Sequence, residues 1–215
     1  MGFERFKPVE RRIDVAGGIL SVWRPPDMEA LIDLDSFAED ERIPYWADVW
    51  ESAIVLAEDL AEADGNGLSL LELGCGLGLP SLVAARAGFS VTATDYETAA
   101  LEGVRFNADA NGLASIATRV VDWRRMPDEL GRFDRVVAAD VLYEAHHATA
   151  LAAVIARTLK ADGIALVADP CRQKAADFPS AARAVGLGVM KQRARRPHGV
   201  TDGPAVEIYR LTFPQ

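Results

Sequence analysis

Between Leu68 and Asp169 short apolar runs alternate with stretches of helical periodicity, and that alternation restricts the possible folds more than any other feature of the chain. Strand-like "LSLLELG" precedes helix-like "PSLVAARAG", and strand-like "SVTATD" precedes "ETAALEGVRFNADANG". "ATRVVDW" leads into a loop, "FDRVVAAD" precedes "HATALAAVIARTLKADG", and "IALVAD" closes the series. Apolar strands separated by helices of this length imply βαβ units, a parallel sheet buried on both faces and a doubly wound α/β fold. The end differs: "LGVMKQRAR" and "AVEIYRLTF" alternate like strands, with only the turn-rich "RPHGVTDGP" between them. No crossover helix fits there, so these two pair antiparallel at the end of the sheet.

Upstream the pattern changes. "RRIDVAGGILSVWRP" places an Ala-Gly-Gly turn between two alternating runs and reads as a β-hairpin from about Arg12 to Arg24. The acidic, proline-bounded connector "PPDMEALIDLDSFAEDERIP" follows. From Tyr45 onward Trp46, Val49, Trp50, Ala53 and Ala57 recur at helical spacing. This predicts one amphipathic helix ending near "DGNG", with Trp46 and Trp50 one turn apart.

At 215 residues, 50% of them hydrophobic, the chain can bury one core and is too short for two full domains. A formal charge of -9 argues against nucleic acid as a partner, which needs a positive surface, and favours basic partners. The one short basic run, "KQRARRP", reads as a solvated strand end. No segment reaches the ~18 apolar residues of a membrane span, so no membrane partner is expected. "MGFERFKPVERRIDV" lacks the apolar stretch of a secretory signal. Cys75 and Cys171 form neither a metal pattern nor a disulfide framework. The expected setting is cytoplasmic.

The chemistry concentrates at "LLELGCGLGLP", Leu70 to Pro80. Gly74, Gly76 and Gly78 follow an apolar strand directly, so the chain turns sharply where doubly wound folds hold their ligands. A dinucleotide loop reads G-x-G-x-x-G. Here the third glycine comes one position early and Leu79 occupies its place. Glu72 sets a carboxylate just before the loop, unfavourable for a pyrophosphate and favourable for a ligand carrying an amine and a sulfonium. Asp95 ends the next strand about 20 residues on, the usual place for an acid that accepts ribose hydroxyls. Together these features point to S-adenosyl-L-methionine. A dinucleotide is the main rival, and a plain tight turn is the bland alternative.

"LELGCGLG", "TATDYE", "FNADANG", "VVDW" and "AADVLYE", in that order, resemble the seven-strand, class I methyltransferases, and within them the family 16 protein lysine methyltransferases. "PYWADVWESAIVLAEDL" and "ADPCR", at Ala168 to Arg172, are similar to the electron transfer flavoprotein β-subunit lysine methyltransferase group and its bacterial nicotinamide N-methyltransferase-like relatives. "TDYE" departs from the Asp-Ile-Asp-Pro-like segment of that group. The resemblance runs from about Arg12 to the C-terminus and is strongest over residues 44–144. It implies a Rossmann-like, seven-stranded, mostly parallel sheet with a terminal antiparallel hairpin, plus an N-terminal β-hairpin appendage. Residues 1–42 form the hairpin and acidic connector, and residues 43–215 the S-adenosylmethionine-binding domain.

By the same resemblance Glu72, Gly74, Gly76 and Gly78 shape the methionine end of the cofactor pocket, Asp95 holds the ribose, and Trp46 lies near the ligand, with simple packing as the alternative for Trp46. Asp122 can accept from the adenine amino group, and Trp123 can pack on the adenine face; an ordinary core aromatic is the alternative for Trp123. Asp140 and Tyr143 match the family's D-x-x-Y/F pattern and imply the acceptor side. Nucleobase amine methyltransferases carry N/D-P-P-Y/F there, and neither proline is present. A lysine amine, with a reference pKa of about 10.4, arrives protonated and must lose a proton before it attacks. Asp140 favours the charged amine, so it positions the amine and passes its proton to water, or else caps the following helix. Tyr143 bounds the lysine channel. His146 and His147 open a helix on the surface, or else one of them takes the acceptor proton, since an imidazole titrates near neutrality; neither stands at metal-ligand spacing, so no metal is expected. Arg172 holds an acidic substrate group or faces solvent. The expected activity is S-adenosylmethionine-dependent N-methylation of a lysine in a basic segment of a protein, by in-line displacement. A small-molecule amine N-methyltransferase and a non-catalytic cofactor-binding protein are the alternatives.

Overall fold

The computed structural model describes every residue except 1, 16, 33–42, 114–115, 126–129, 145 and 215. The middle of the acidic connector lies outside the described residues. Strands β1 (Val9–Val15) and β2 (Gly18–Arg24) form the N-terminal hairpin. After helix α1 (Glu51–Ala61) the chain alternates: β3 (Ser69–Leu73), α2 (Leu79–Arg86), β4 (Ser90–Asp95), α3 (Thr98–Ala110), β5 (Ala117–Val120) and β6 (Phe133–Ala139). Helix α4 (His147–Thr158), β7 (Leu159–Asp169), α5 (Phe178–Ala184), β8 (Gly188–Lys191) and β9 (Glu207–Thr212) complete it. The 7-stranded sheet has the order β5-β4-β3-β6-β7-β9-β8. Among the described residues β9 alone runs antiparallel, between β7 and β8.

This is the mostly parallel, doubly wound sheet that the apolar runs require. Successive strand residues feed opposite faces, as the two-residue period demands. Leu70 and Val137 pack with α1, α2 and α3, whereas Leu71, Val136 and Ala138 pack with α4 and α5. Strand order proceeds outward from β3 in one direction and from β6 in the other, so the crevice of a doubly wound fold opens above the carboxyl ends of this adjacent pair.

Three local features differ from the sequence reading. The helix expected from Tyr45 starts at Glu51. Tyr45–Ala47 forms a single 3-10 turn and Asp48 is extended, with φ -131° and ψ 169°. Asp48 Oδ1 accepts the Val49 N–H at 2.7 Å and faces Arg11 and Arg24 of the hairpin at 3.5 and 3.6 Å. That long-range pairing breaks the local periodicity, so Trp46 and Trp50 do not share a helix. Strand β7 begins at Leu159, inside the stretch read as helix and turn. Leu159 is fully buried opposite Phe133, and Lys160 reaches Asp134 at 2.8 Å. Helix α5 had no counterpart in the sequence reading. Since β8 runs parallel to β7, the chain needs such a crossover before β9 returns between them.

The hairpin is fastened to α3 by two asparagines one turn apart. Asn107 Oδ1 accepts the Trp23 N–H at 2.7 Å, and its amide donates to the Trp23 carbonyl at 3.2 Å. Asn111 does the same for Ser21, at 3.0 and 2.8 Å. The two side chains act as a surrogate strand along the edge of β2, and Val22 between them is fully buried.

Candidate active site

Past the end of β3 the chain turns through Gly74, Gly76 and Gly78, all left-handed, with φ of 67°, 50° and 80°. A methyl group on Gly74 would stand 2.8 Å from Val141 Cγ1, and one on Gly78 2.7 Å from Val104 Cγ2. Glycine is therefore required by both backbone conformation and space, because the loop threads between the end of β6 and the face of α3. The Cys75 N–H donates to the Thr94 carbonyl at 2.9 Å, tying the loop to β4.

Two carboxylates flank the loop. Glu72, 1% exposed, accepts the Ser81 N–H at 3.0 Å and, in a short contact, the Ser81 hydroxyl. Burial raises its carboxyl to about 8, outweighing the lowering effect of both Ser81 bonds. Asp95 Oδ2 accepts the Gly76 N–H and Oδ1 the Glu97 N–H, each at 2.9 Å; burial lifts its pKa to about 6.

Opposite the loop, Asp140 follows β6 with φ 61°, a conformation that Asp tolerates better than most residues. Its N–H donates to the Ala168 carbonyl at 2.9 Å, and its Oδ1 accepts from the Arg172 guanidinium. Arg172 thus turns inward onto Asp140. Its own N–H donates to Asp169 Oδ1 at 2.7 Å, and Asp169 is fully buried, its pKa lifted to about 6 chiefly by that burial. Asp140 caps no helix, since α4 starts at His147 without a side-chain cap. The Tyr143 ring lies 5.1 Å from Tyr45 and 4.8 Å from His147. Burial pushes its phenol well above the usual value.

The histidines depart from the surface reading. His146 is exposed, but the His147 side chain is only 15% exposed, and its Nδ1 lies 2.7 Å from the Val141 carbonyl. Donor atoms of Glu144, His146 and His147 also lie within 4.8 Å of one another, a proximity that linear spacing had not indicated. The basic run is likewise less solvated than expected. Arg195 pairs with Glu58 and Asp59 of α1 and donates to the Val55 carbonyl at 3.0 Å.

A cavity of about 300 Å³ joins the two sides, at the lower end of the ~300–1,000 Å³ typical of small-molecule sites. Trp46, Glu72, Gly74, Gly76, Gly78, Asp95, Asp122, Trp123, Asp140 and Tyr143 all line it. Trp46 contributes backbone, its carbonyl 3.3 Å from where a Gly76 Cβ would sit, while its indole packs on Phe3 and Phe6. Trp123 meets the edge of His147, with ring centroids 5.6 Å apart. Tyr45, Tyr96 and Glu97 also line the cavity and were not anticipated, and so does His147, one of the two histidines weighed for the acceptor proton. Tyr96 and Glu97 could have been found, because residues directly after a parallel strand face the crevice. Tyr45 and His147 carry no such local signal.

Residues 36–178 match the family profile described as "Lysine methyltransferase". The chain belongs to the lysine methyltransferase family. The matched range contains the glycine loop, Asp95, Asp122 and the Asp140 to Tyr143 segment. Among its relatives is the protein-lysine N-methyltransferase rrg1 of Schizosaccharomyces pombe, 31% identical over 58% of this chain and 46% of the relative. Another is the protein N-lysine methyltransferase METTL21A of Xenopus tropicalis, 36% identical over 44% of this chain and 46% of the relative. The chain thus covers about half the length of these curated relatives. Its fold is that of the T. thermophilus 16S rRNA N2 G1207 methyltransferase (RsmC) solved with AdoMet and guanosine. That likeness has a TM-score of 0.68 at 17% identity, over 96% of this chain and 51% of the other.

Proposed function

We propose that this protein is an S-adenosylmethionine-dependent N-methyltransferase that modifies a lysine side chain of a protein substrate. The observation that carries the reading is one cavity lined at one end by Glu72, the glycine loop and Asp95, and at the other by Asp140 and Tyr143. Membership of the lysine methyltransferase family supports it. The residues fit the cofactor: a buried carboxylate beside the loop suits a cation, and the glycines leave backbone open to close approach. When bound, S-adenosylmethionine supplies an electrophilic methyl group on a sulfonium.

In this reading Glu72 and the backbone of residues 74–78 hold the methionine end, Asp95 takes the ribose hydroxyls, and Asp122 and Trp123 hold the adenine. Asp140, with Oδ1 held by Arg172, offers its other oxygen to the acceptor ammonium and orients it. Tyr143 stays a neutral phenol and bounds the channel, donating a hydrogen bond. Alignment of the amine with the methyl group supplies most of the rate enhancement, as in other displacements between held partners. A net charge of -9 favours a basic acceptor segment. Cys75 and Cys171 are free, in keeping with a reducing, cytoplasmic setting. Among the described residues no helix is long and apolar enough to cross a membrane.

The test is transfer of radiolabelled methyl from S-adenosylmethionine into total cell extract, separated into macromolecular and small-molecule fractions, with Asp140→Ala as control. Label in a discrete protein band, at lysine and absent with the variant, is the expected result. Label confined to the small-molecule fraction would overturn the protein-substrate assignment in favour of a small amine.

A further inference from the structure

A carboxylate and a neutral phenol at the acceptor end leave one chemical requirement unmet. The acceptor ammonium must lose a proton, and each group already assigned there is unsuited to take it. Asp140 is engaged by Arg172, and a carboxylate beside an ammonium stabilises its charged form. Tyr143 is held protonated by its burial and so donates. Glu72 and Asp95 belong to the glycine-loop end of the cavity.

We infer that His147 is the catalytic base of the proposed lysine methylation, accepting the acceptor's proton at Nε2. The inference rests on the lysine reading above. Its basis is geometric. His147 opens α4, lines the same cavity as Asp140 and Tyr143, and lies with its ring centroid 4.8 Å from that of Tyr143. Nδ1 stands 2.7 Å from the Val141 carbonyl, which can only accept, so Nδ1 carries the hydrogen. The neutral ring therefore has its lone pair on Nε2. Trp123 and Tyr143 both meet the ring near edge-on, which fixes its plane. The site thus specifies tautomer and orientation together, as a positioned base requires.

The proton balance is simple. An N–H bond of the lysine ammonium breaks, its electron pair stays on Nζ, and a new N–H bond forms at Nε2. The resulting imidazolium passes its proton to water at the rim, where Glu144 Oε2 lies 3.8 Å from Nε2. Glu144, with its side chain 51% exposed, stabilises the transient cation without burying a charge of its own. Among the described residues, the titratable groups that line the same cavity as the ring include Tyr143, Glu144 and His146 in its own segment, and Asp95, Tyr96, Asp122 and Asp140 at the strand ends. Arg125, on the turn that carries Trp123, is exposed.

The test compares wild type with His147→Asn and His147→Ala, using initial rates of labelled-methyl transfer to total cell protein from pH 6 to 10. The asparagine amide can keep the donor to the Val141 carbonyl, which guards the fold. At neutral pH both variants should lose about 10²-fold or more in rate, with S-adenosylmethionine affinity by calorimetry within a few-fold of wild type. Their rates should then climb about tenfold per pH unit as the lysine ionises unaided, and added imidazole should partly rescue His147→Ala. Independently of activity, the ¹⁵N spectrum of the unliganded protein should show His147 with hydrogen on Nδ1. His147→Asn at wild-type rate, or a loss of rate with the wild-type pH profile retained, would overturn the assignment, as would hydrogen on Nε2. If wild type transfers no label to protein while the spectrum is as expected, the lysine reading itself has failed and the role of His147 falls with it.

Discussion

Arg172, at the exit of β7, donates to Oδ1 of Asp140 at the exit of β6, so Asp140 already carries a cationic partner. Asp140 is 8% exposed. Removing the guanidinium leaves that carboxylate nearly buried and uncompensated. Since the Arg172 side chain is 35% exposed, solvent recovers part of the loss. A double-mutant cycle with Arg172→Ala and Asp140→Asn should give a coupling of about 1–2 kcal/mol in denaturant unfolding. A coupling near zero would show that the pair is not formed in solution.

In the proposed site Glu72 couples cofactor binding to pH. Burial holds its carboxyl up to about 8, so the unliganded site is largely protonated at pH 7, whereas a cationic ligand favours the ionised form. Binding should release a proton, and affinity for S-adenosylmethionine should rise toward pH 8 by at most about tenfold per unit. Calorimetry in buffers of different ionisation enthalpy reads the proton directly. Glu72→Gln separates the protein's contribution from titration of the ligand's own amine and should flatten the profile.

The same carboxyl has a consequence for stability. Its folded pKa lies above its unfolded one, so the unfolded chain ionises first as pH rises. The contribution of Glu72 is fully present below about 4.5 and is lost progressively up to about 8. Unliganded wild type should therefore lose stability relative to Glu72→Gln across that window. A constant difference between the two would remove Glu72 as the cause.

Gly78→Ala combines a left-handed φ of 80° with a contact of 2.7 Å to Val104. It should cost about 2–4 kcal/mol of stability and weaken cofactor binding. Gly112→Ala is the control, with φ 61° and nothing within 4 Å of the added methyl. It should cost about 1–2 kcal/mol and leave binding unchanged. Equal effects would mean that strain alone, rather than the close approach of α3, requires glycine at position 78.

Asn107→Ala should loosen the hairpin and the loop together, because the amide holds both Trp23 and the Leu77 carbonyl, the latter at 3.2 Å. The expected cost is about 2–3 kcal/mol for buried backbone groups left unpaired. Hydrogen exchange at the Trp23 amide should accelerate before global unfolding, and slow exchange there would show that packing alone holds the hairpin.

The doubly wound order, the glycine loop and the acids at the strand ends were legible because each depends on local pattern. Strand and helix periods express which faces are buried, and positive φ selects glycine over short range. The same locality explains why Glu72, Asp95, Asp122, Asp140 and Tyr143 could be located along the chain: each sits at or just beyond the carboxyl end of an apolar run. What the chain order could not reveal depends on partners far apart in sequence. Asp48 leaves the helical path because Arg11 and Arg24 wait on the hairpin, and Leu159 enters a strand because Phe133 lies opposite. The two asparagines of "FNADANG" become a clamp only when β2 is laid against α3. Arg172 meets Asp140, and His147 turns its ring toward Tyr143, only once β6, β7 and α4 are packed. Local periodicity encodes which elements form; the directions of polar side chains are set by charges and carbonyls that folding brings together.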